Sequence, residues 1–445
     1  MDIRYGLLVA IFPLSVQAAD AGLQTTAESR PHTLPGASFF ERSAIDVSLK
    51  NYWKALNEKE SGETRIHNAW GQGAAVSFHS GDIAGILGAD VTWYYVMKLS
   101  ASDYFNSRGV LYSAGRGNKK SNASGYNKFG QRNIRLQYNQ DDRSVKARWG
   151  WLSLKDIGVI SDSSRLSVTT YSGGYSRLAW GEFSLQGARV TKSMSRSSPD
   201  SEHFLANNNK TIKALSSLDL RWASQMADLR YAWGESSNYL SRHIFQASIK
   251  PDPGLTLNSQ VYLTRALSDY RDMPALQKDF DHKAQHFTVE ARSSSPLWQT
   301  RWAASYTRAA KKSGVGTYPF HMSRNSRGTF NGMAKAGNDY NRDREAVLSG
   351  LVGYQLTPGL SAGITGNIAR FSYQSVPVVT GEINAFTRWV IKQPSSRVLS
   401  LFAMVGPGWS YQTLNGKTPK LSDGRPVRAK SFASEVILEY KFKGI

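Results

Sequence analysis

The chain has no cysteine among its 445 residues, so no disulfide can staple it and no thiolate can act as nucleophile or metal ligand. Nowhere does it offer the ~18 uninterrupted apolar residues that a transmembrane helix needs, which excludes a membrane protein built of helices. Linkers are also missing. No Pro-rich or Gly/Ser-rich stretch divides the chain, and its 15 prolines are scattered. Length alone would suggest about three soluble domains, yet the even composition reads as one. Acidic residues are scarce, 34 against 55 Lys and Arg, for a net charge of +21. In a cytosolic protein that imbalance would suggest nucleic acid.

The first residues argue for export instead. Arg4 precedes an apolar run from Gly6 to Val16, and the small residue Ala18 closes the segment, the layout of a secretory signal peptide. Cleavage after Ala18 is expected, leaving residues 19–445 as a single mature domain. An exported basic chain has two uses for its charge: loops facing anionic lipopolysaccharide, and a basic interior that attracts anions.

What is present in quantity is alternation of apolar and polar residues at period two. Ile134, Leu136 and Tyr138 alternate with Arg135, Gln137 and Asn139; Val145, Ala147, Trp149 and Trp151 alternate with Lys146, Arg148 and Gly150. Leu218, Leu220 and Trp222 stand against Asp219 and Arg221, and Phe287, Val289 and Ala291 against Thr288, Glu290 and Arg292. A charge at every second position would ruin a soluble sandwich core, whereas a strand between lipid and water requires it. We count 18 such segments, the last near Ser431 to Phe442. The fold class is all-β: a transmembrane antiparallel barrel of about 18 strands in the outer membrane of a Gram-negative cell.

Connections separate into two classes. Short turns rich in Gly, Pro, Asp and Ser fall at Ser80 to Asp82, Gln140 to Arg143, Gly181, Ala223 to Met226, Pro251 to Gly254, Ser293 to Pro296, Thr357 to Gly359 and Gln393 to Ser396. Long polar loops are expected between them, near residues 60, 115, 162, 202, 275, 325, 376 and 417, with a short one near Ser236. Brief periplasmic turns alternating with long external loops are the barrel layout. An exported β-solenoid or sandwich would explain the alternation but not the two loop classes.

Four stretches resemble the OprD-like family of substrate-preferring outer-membrane porins, which includes chitoporin-like enterobacterial members. They are Trp70-Gly71-Gln72-Gly73; the run Lys146 to Thr191, with Arg148-Trp149-Gly150, Ser161 to Leu166 and Thr170 to Gly174; Ser217 to Trp222 with Tyr239 to His243; and Asp343 to Leu360. The resemblance implies an 18-stranded monomeric barrel whose third external loop folds inward as a constriction, with a row of basic residues along one wall. By strand count that loop is residues 152 to 174. Two departures stand out. Thr365, Gly366 and Asn367 occupy a strand where the family usually carries an Arg-Tyr pair, and the chain ends Lys443-Gly444-Ile445, so its last phased aromatic is Phe442.

A lumen selects by width and by its charged side chains, without a covalent step. Alternation turns Lys50, Arg135, Lys146, Arg148, Arg221, Arg230, Arg242, Arg292, Arg301 and Arg388 inward, along with the carboxylates Asp46, Asp90, Asp219, Asp228, Glu290 and Glu382. On the constriction loop, Asp162 and Arg165 are the preferred candidates. Arginine's planar fork matches a carboxylate, so small anions are the expected solutes; the bland alternative is that these arginines pair with lumen carboxylates and stiffen the barrel. Tyr94, Tyr262 and Phe386 suggest a second reading, a sliding surface for neutral sugars or chito-oligosaccharides. A barrel hydrolase would need Ser and His placed together. No GxSxG element flanks a suitable serine, no HExxH exists, and His243 reads as an interface residue. The glycine pairs at 71, 73 and 115, 117 do not lie between strand and helix. No enzyme activity, cofactor, metal or nucleic acid is expected; the expected partners are lipid, lipopolysaccharide and the barrel assembly machinery. A closed structural barrel remains the other non-enzymatic reading.

Overall fold

Hydrocarbon gives a backbone no hydrogen-bond partner, so strands cross a bilayer only where no edge stays open. The computed structural model describes residues 41–60, 63–102, 109–113, 123–327, 339–393, 397–414 and 418–442, and these close such a wall. Its strands are β1 (Ala44–Glu60), β2 (Glu63–His79), β3 (Leu87–Ala101), β4 (Tyr126–Gln140), β5 (Arg143–Leu152) and β6 (Thr170–Trp180). There follow β7 (Phe183–Met194), β8 (Leu215–Ala223), β9 (Ala227–Ser236), β10 (Leu240–Asp252), β11 (Leu255–Ala266) and β12 (Lys283–Ser294). The wall is completed by β13 (Trp298–Arg308), β14 (Ala346–Thr357), β15 (Leu360–Tyr373), β16 (Val376–Gln393), β17 (Arg397–Tyr411) and β18 (Arg428–Phe442). Each pairs antiparallel with the next, and β18 pairs with β1, so the 18-stranded barrel is closed. Among the described residues no helix is long and apolar enough to cross a membrane.

The seam is held by more than backbone. Lys50 faces Glu439 and Lys54 faces Glu435 across β1 and β18, at 3.1 and 3.2 Å, and the Tyr52 hydroxyl donates to Glu435.

Facing follows the alternation. Leu218 and Trp302 are 46% and 58% exposed on the outer face, while their strand neighbours Ser217, Asp219 and Arg301 are 5%, 1% and 3% exposed on the inner one. His243 lies outward, its Nδ1 2.9 Å from the Tyr231 hydroxyl.

Two expected long loops are not long. Only residues 61 and 62, outside the described set, separate β1 from β2, whose register continues to Glu60 opposite Glu63; Gln374 and Ser375 alone join β15 to β16, both with positive φ. The strands here continue past the apolar band, where lipid no longer enforces a pattern that would reveal them. The third external loop is residues 153–169, since Thr170 to Gly174 is already strand; Tyr171 faces inward there while Ser172 and Gly174 take the outer positions, the reverse of the apolar-out pattern that would have marked it. The expected signal segment, residues 1–18, and most of the turn at Gln393 to Ser396 lie outside the described residues.

Candidate functional site

The third external loop, L3, leaves the rim at Leu152 and crosses the lumen. Two walls hold it. On the β8–β9 side the Gly158 N–H donates to Asp219 Oδ2 at 3.1 Å and the Val159 N–H to Ser217 Oγ at 3.0 Å. Val159, fully buried, occupies the space over Gly234: a Cβ there would lie 2.1 Å from its Cγ2. Arg230 grips both Asp219 and the loop's Asp156, reaching each Asp156 oxygen at 2.9 Å. Gln186 Nε2 adds a bond to Asp219 at 3.0 Å.

At the loop's other end Leu166 packs into β2, where a Cβ on Gly71 would lie 2.6 Å from its Cδ1 and one on Gly73 3.0 Å from its carbonyl oxygen. That is the physical content of the Trp70 to Gly73 motif: two inward positions kept empty so that L3 can lie against the wall. Arg165 sits 5.4 Å over the Tyr52 ring, Lys128 Nζ donates to the Val168 carbonyl at 3.0 Å, and the hydroxyls of Tyr126 and Ser167 are 3.0 Å apart. L3 is therefore a strut between two faces of the barrel.

The long loop between β13 and β14, L7, rests on it. The Tyr171 hydroxyl donates to the Ser161 carbonyl at 2.8 Å and accepts from the Arg327 N–H at 3.0 Å. Arg242, with no exposed surface, reaches up from β10 to the carbonyls of Pro319 (2.5 Å) and Phe320 (3.2 Å) and to Thr264 Oγ1 (2.9 Å). His321 beside them is held well below the ordinary imidazole range, first by burial and then by the guanidiniums of Arg327, Arg242 and Arg196.

A closed barrel with an inward strut is a pore narrowed at one level, and the comparisons with known proteins agree. The model of the outer membrane porin, OprD family, matches residues 37–354. The chain belongs to the OprD family. A search of curated proteins finds no match, whereas solved OprD-type porins share the fold. OccAB4 of Acinetobacter baumannii superposes with a TM-score of 0.66 at 18% identity, over 90% of this chain and 98% of that one. OccK8 (OprE) of Pseudomonas aeruginosa gives 0.71 at 14%, over 92% and 100%. OpdK of Pseudomonas aeruginosa, solved with vanillate, gives 0.68 at 14%, over 91% and 100%.

In this OprD-family barrel the inward residues read from the sequence divide sharply. Arg135 bonds Asp82 and Asp90, Arg221 bonds Asp228, Arg230 bonds Asp219 and Asp156, and Arg292 and Arg301 share Glu290. Arg242 faces inward as expected but is sealed beneath L7, so it anchors a loop and does not line open water. Tyr94 and Tyr262, at 2% and 0% exposed, are likewise covered by loops, leaving Phe386 half-buried as the one accessible member of that set. Lys146 and Arg148 on β5 and Arg388 on β16 stay half-buried on the inner face. Lys146 lies opposite Arg177, a cation not singled out from sequence, and Arg148 opposite Arg135 and 5.0 Å over the Tyr175 ring. On L3, Asp162 accepts from Ser153 and Arg165 donates to the Ser164 carbonyl at 3.3 Å. Lys155 and Asp156, exposed on the same loop, were also missed; a loop has no period to declare which side chains matter. Thr365 and Asn367, in the strand that departs from the family pattern, are buried on the inner face, so the wall is neutral there.

Proposed function

We propose that this OprD-family porin lets small water-soluble solutes diffuse passively across the outer membrane, with preference for small anions and above all carboxylates. One observation carries the preference: Lys146, Arg148 and Arg177 gather half-buried on the inner wall of β5 and β6, Lys146 directly opposite Arg177 and Arg148 opposite Tyr175, with Arg165 half-buried on L3. Guanidinium forks bind carboxylates in a bidentate way, and low-dielectric walls strengthen the field. The vanillate held by OpdK is itself a carboxylate, which supports the reading. The buried Tyr94 and Tyr262 weaken the sugar-sliding alternative. Channel function leaves no step for a catalytic group, and the chain acts as a monomer, inserted by the barrel assembly machinery after cleavage near Ala18.

The test is the reversal potential of the purified barrel in a planar bilayer under a salt gradient, with acetate and a neutral sugar compared as permeants. Anion selectivity that falls in Lys146→Gln/Arg148→Gln, and that fades as ionic strength shortens the Debye length below ~10 Å, is the expected result. Unchanged selectivity in that variant sinks the preference, salt-independent sugar flux favours the chito-oligosaccharide alternative, and a silent bilayer favours a structural barrel or hydrolase.

A further inference from the structure

The outer face of the barrel carries a charge pattern that transport does not use. Where the apolar band ends at the long-loop rim, β11 to β15 each present one exposed, outward cation: Arg265, Lys283, Arg308, Arg344 just before β14, and Arg370. Register makes them a row. Arg265 is directly opposite Lys283, Arg308 opposite Gln285, and Arg370 opposite Ala346, two residues from Arg344. Among the described residues the one carboxylate in ion-pairing reach of the row is Asp343, 3.9 Å from Arg344. Adjacent strands are ~4.8 Å apart, so the row spans about 20 Å.

Directly below, on the same strands, the apolar surface is hollow. A groove of about 1170 Å³ opens across β10 to β17. Its floor is lowered by Ala304 and Gly366, and its walls are Trp302, whose indole lies over Gly350, and Trp409, whose indole lies over Gly381. Gly366 is four residues below Arg370, ~14 Å along the strand. Fixed cations above an apolar hollow match an amphiphile with an anionic head and several chains.

We propose that this face binds a diphosphorylated, multiply acylated glycolipid of the outer leaflet, the lipid A moiety of lipopolysaccharide, with phosphates on the cation row and an acyl chain in the groove. The width of the row suits two phosphates on one head better than the single phosphate of a phospholipid. A second copy of the chain is disfavoured, because it would bring a cationic rim against this one.

The purified full-length barrel in detergent is titrated with diphosphoryl lipid A and bound lipid is counted by native mass spectrometry, with single-channel conductance as the control for folding. The variant combining Arg265→Gln, Lys283→Gln, Arg308→Gln, Arg344→Gln and Arg370→Gln loses about tenfold or more in affinity while conducting normally, since each surface cation contributes separately; should it fail to fold, Arg308→Gln/Arg370→Gln is read the same way. Gly366→Trp, which fills the groove under an intact row, also weakens binding. Equal retention by the neutralised variant overturns the proposal. So does phosphatidylglycerol that competes as well as lipid A, which marks a general anionic surface, or a dimer mass with no bound lipid, which gives the groove to a second copy.

Discussion

Replacing Gly234 by alanine tests the strut directly, because it adds one methyl group and removes no charge. The new Cβ would sit 2.1 Å from Val159 Cγ2, 2.8 Å from Cγ1 and 3.0 Å from the Ser216 carbonyl. Carbon atoms settle at ~3.5 to 4.0 Å, so the tip of L3 must rise by roughly 1.5 Å. Val159 cannot swing clear, since both of its methyls face the intruder. The displacement lengthens the 3.0 and 3.1 Å bonds from the Val159 and Gly158 amides. Overpacking of this kind costs about 2 kcal/mol, which multiplies the undocked fraction of L3 about thirtyfold. The ladder needs to give only a few tenths of an ångström at the Ser216 carbonyl, so the barrel still refolds. Single-channel recording should therefore show larger or flickering conductance with weaker anion selectivity. Gly187→Ala is the control, its nearest neighbour being 3.4 Å away. If Gly234→Ala conducts as steadily and selectively as the parent, Val159 does not occupy that site and the strut is misassigned.

Arg242→Met should free L7 without opening the wall. It deletes charged bonds to the carbonyls of Pro319 and Phe320, each worth roughly 1.5 to 3 kcal/mol, and limited proteolysis should then cut within residues 309–345; persistent protection refutes the anchor. Acidification should loosen the same loop. The imidazole of His321 has its pKa held well below 6.5 in the folded state, so the unfolded or undocked form binds the extra proton, and docking weakens as pH falls below about 6.5. His321→Asn should flatten this pH dependence of L7 protease sensitivity, and an unaltered profile assigns the effect elsewhere.

The barrel was legible because lipid imposes a period of two on every strand it touches, and Ile134 to Tyr138, Val145 to Trp151, Leu218 to Trp222 and Phe287 to Arg292 follow it within the apolar band. Strand ends at Glu60 and Tyr373 were not, because beyond the bilayer a strand may be polar on both faces. Facing was legible too, but exposure was not: Arg148 and Arg242 carry the same signature of an inward cation, and only the fold of L7, fixed by contacts distant in sequence, buries one and spares the other. Leu166 on Gly71 and Gly73 was visible as a motif without its meaning. Lys155 and Asp156 had no sequence signal at all.

The ion pairs at the closing seam have a consequence for the bore of the channel. A two-residue slip between β1 and β18 would keep every side chain on its proper face, so hydrophobicity does not forbid it. One direction would set Lys50 against Lys441 and Lys54 against Ile437; the other would set them against Ile437 and Ala433. Either slip breaks both of the pairs that join Lys50 to Glu439 and Lys54 to Glu435. Stagger, strand tilt and diameter are geometrically linked in a closed barrel. Two lysines and two glutamates at the junction of the first and last strands thus select one shear, and with it the diameter across which every solute must pass.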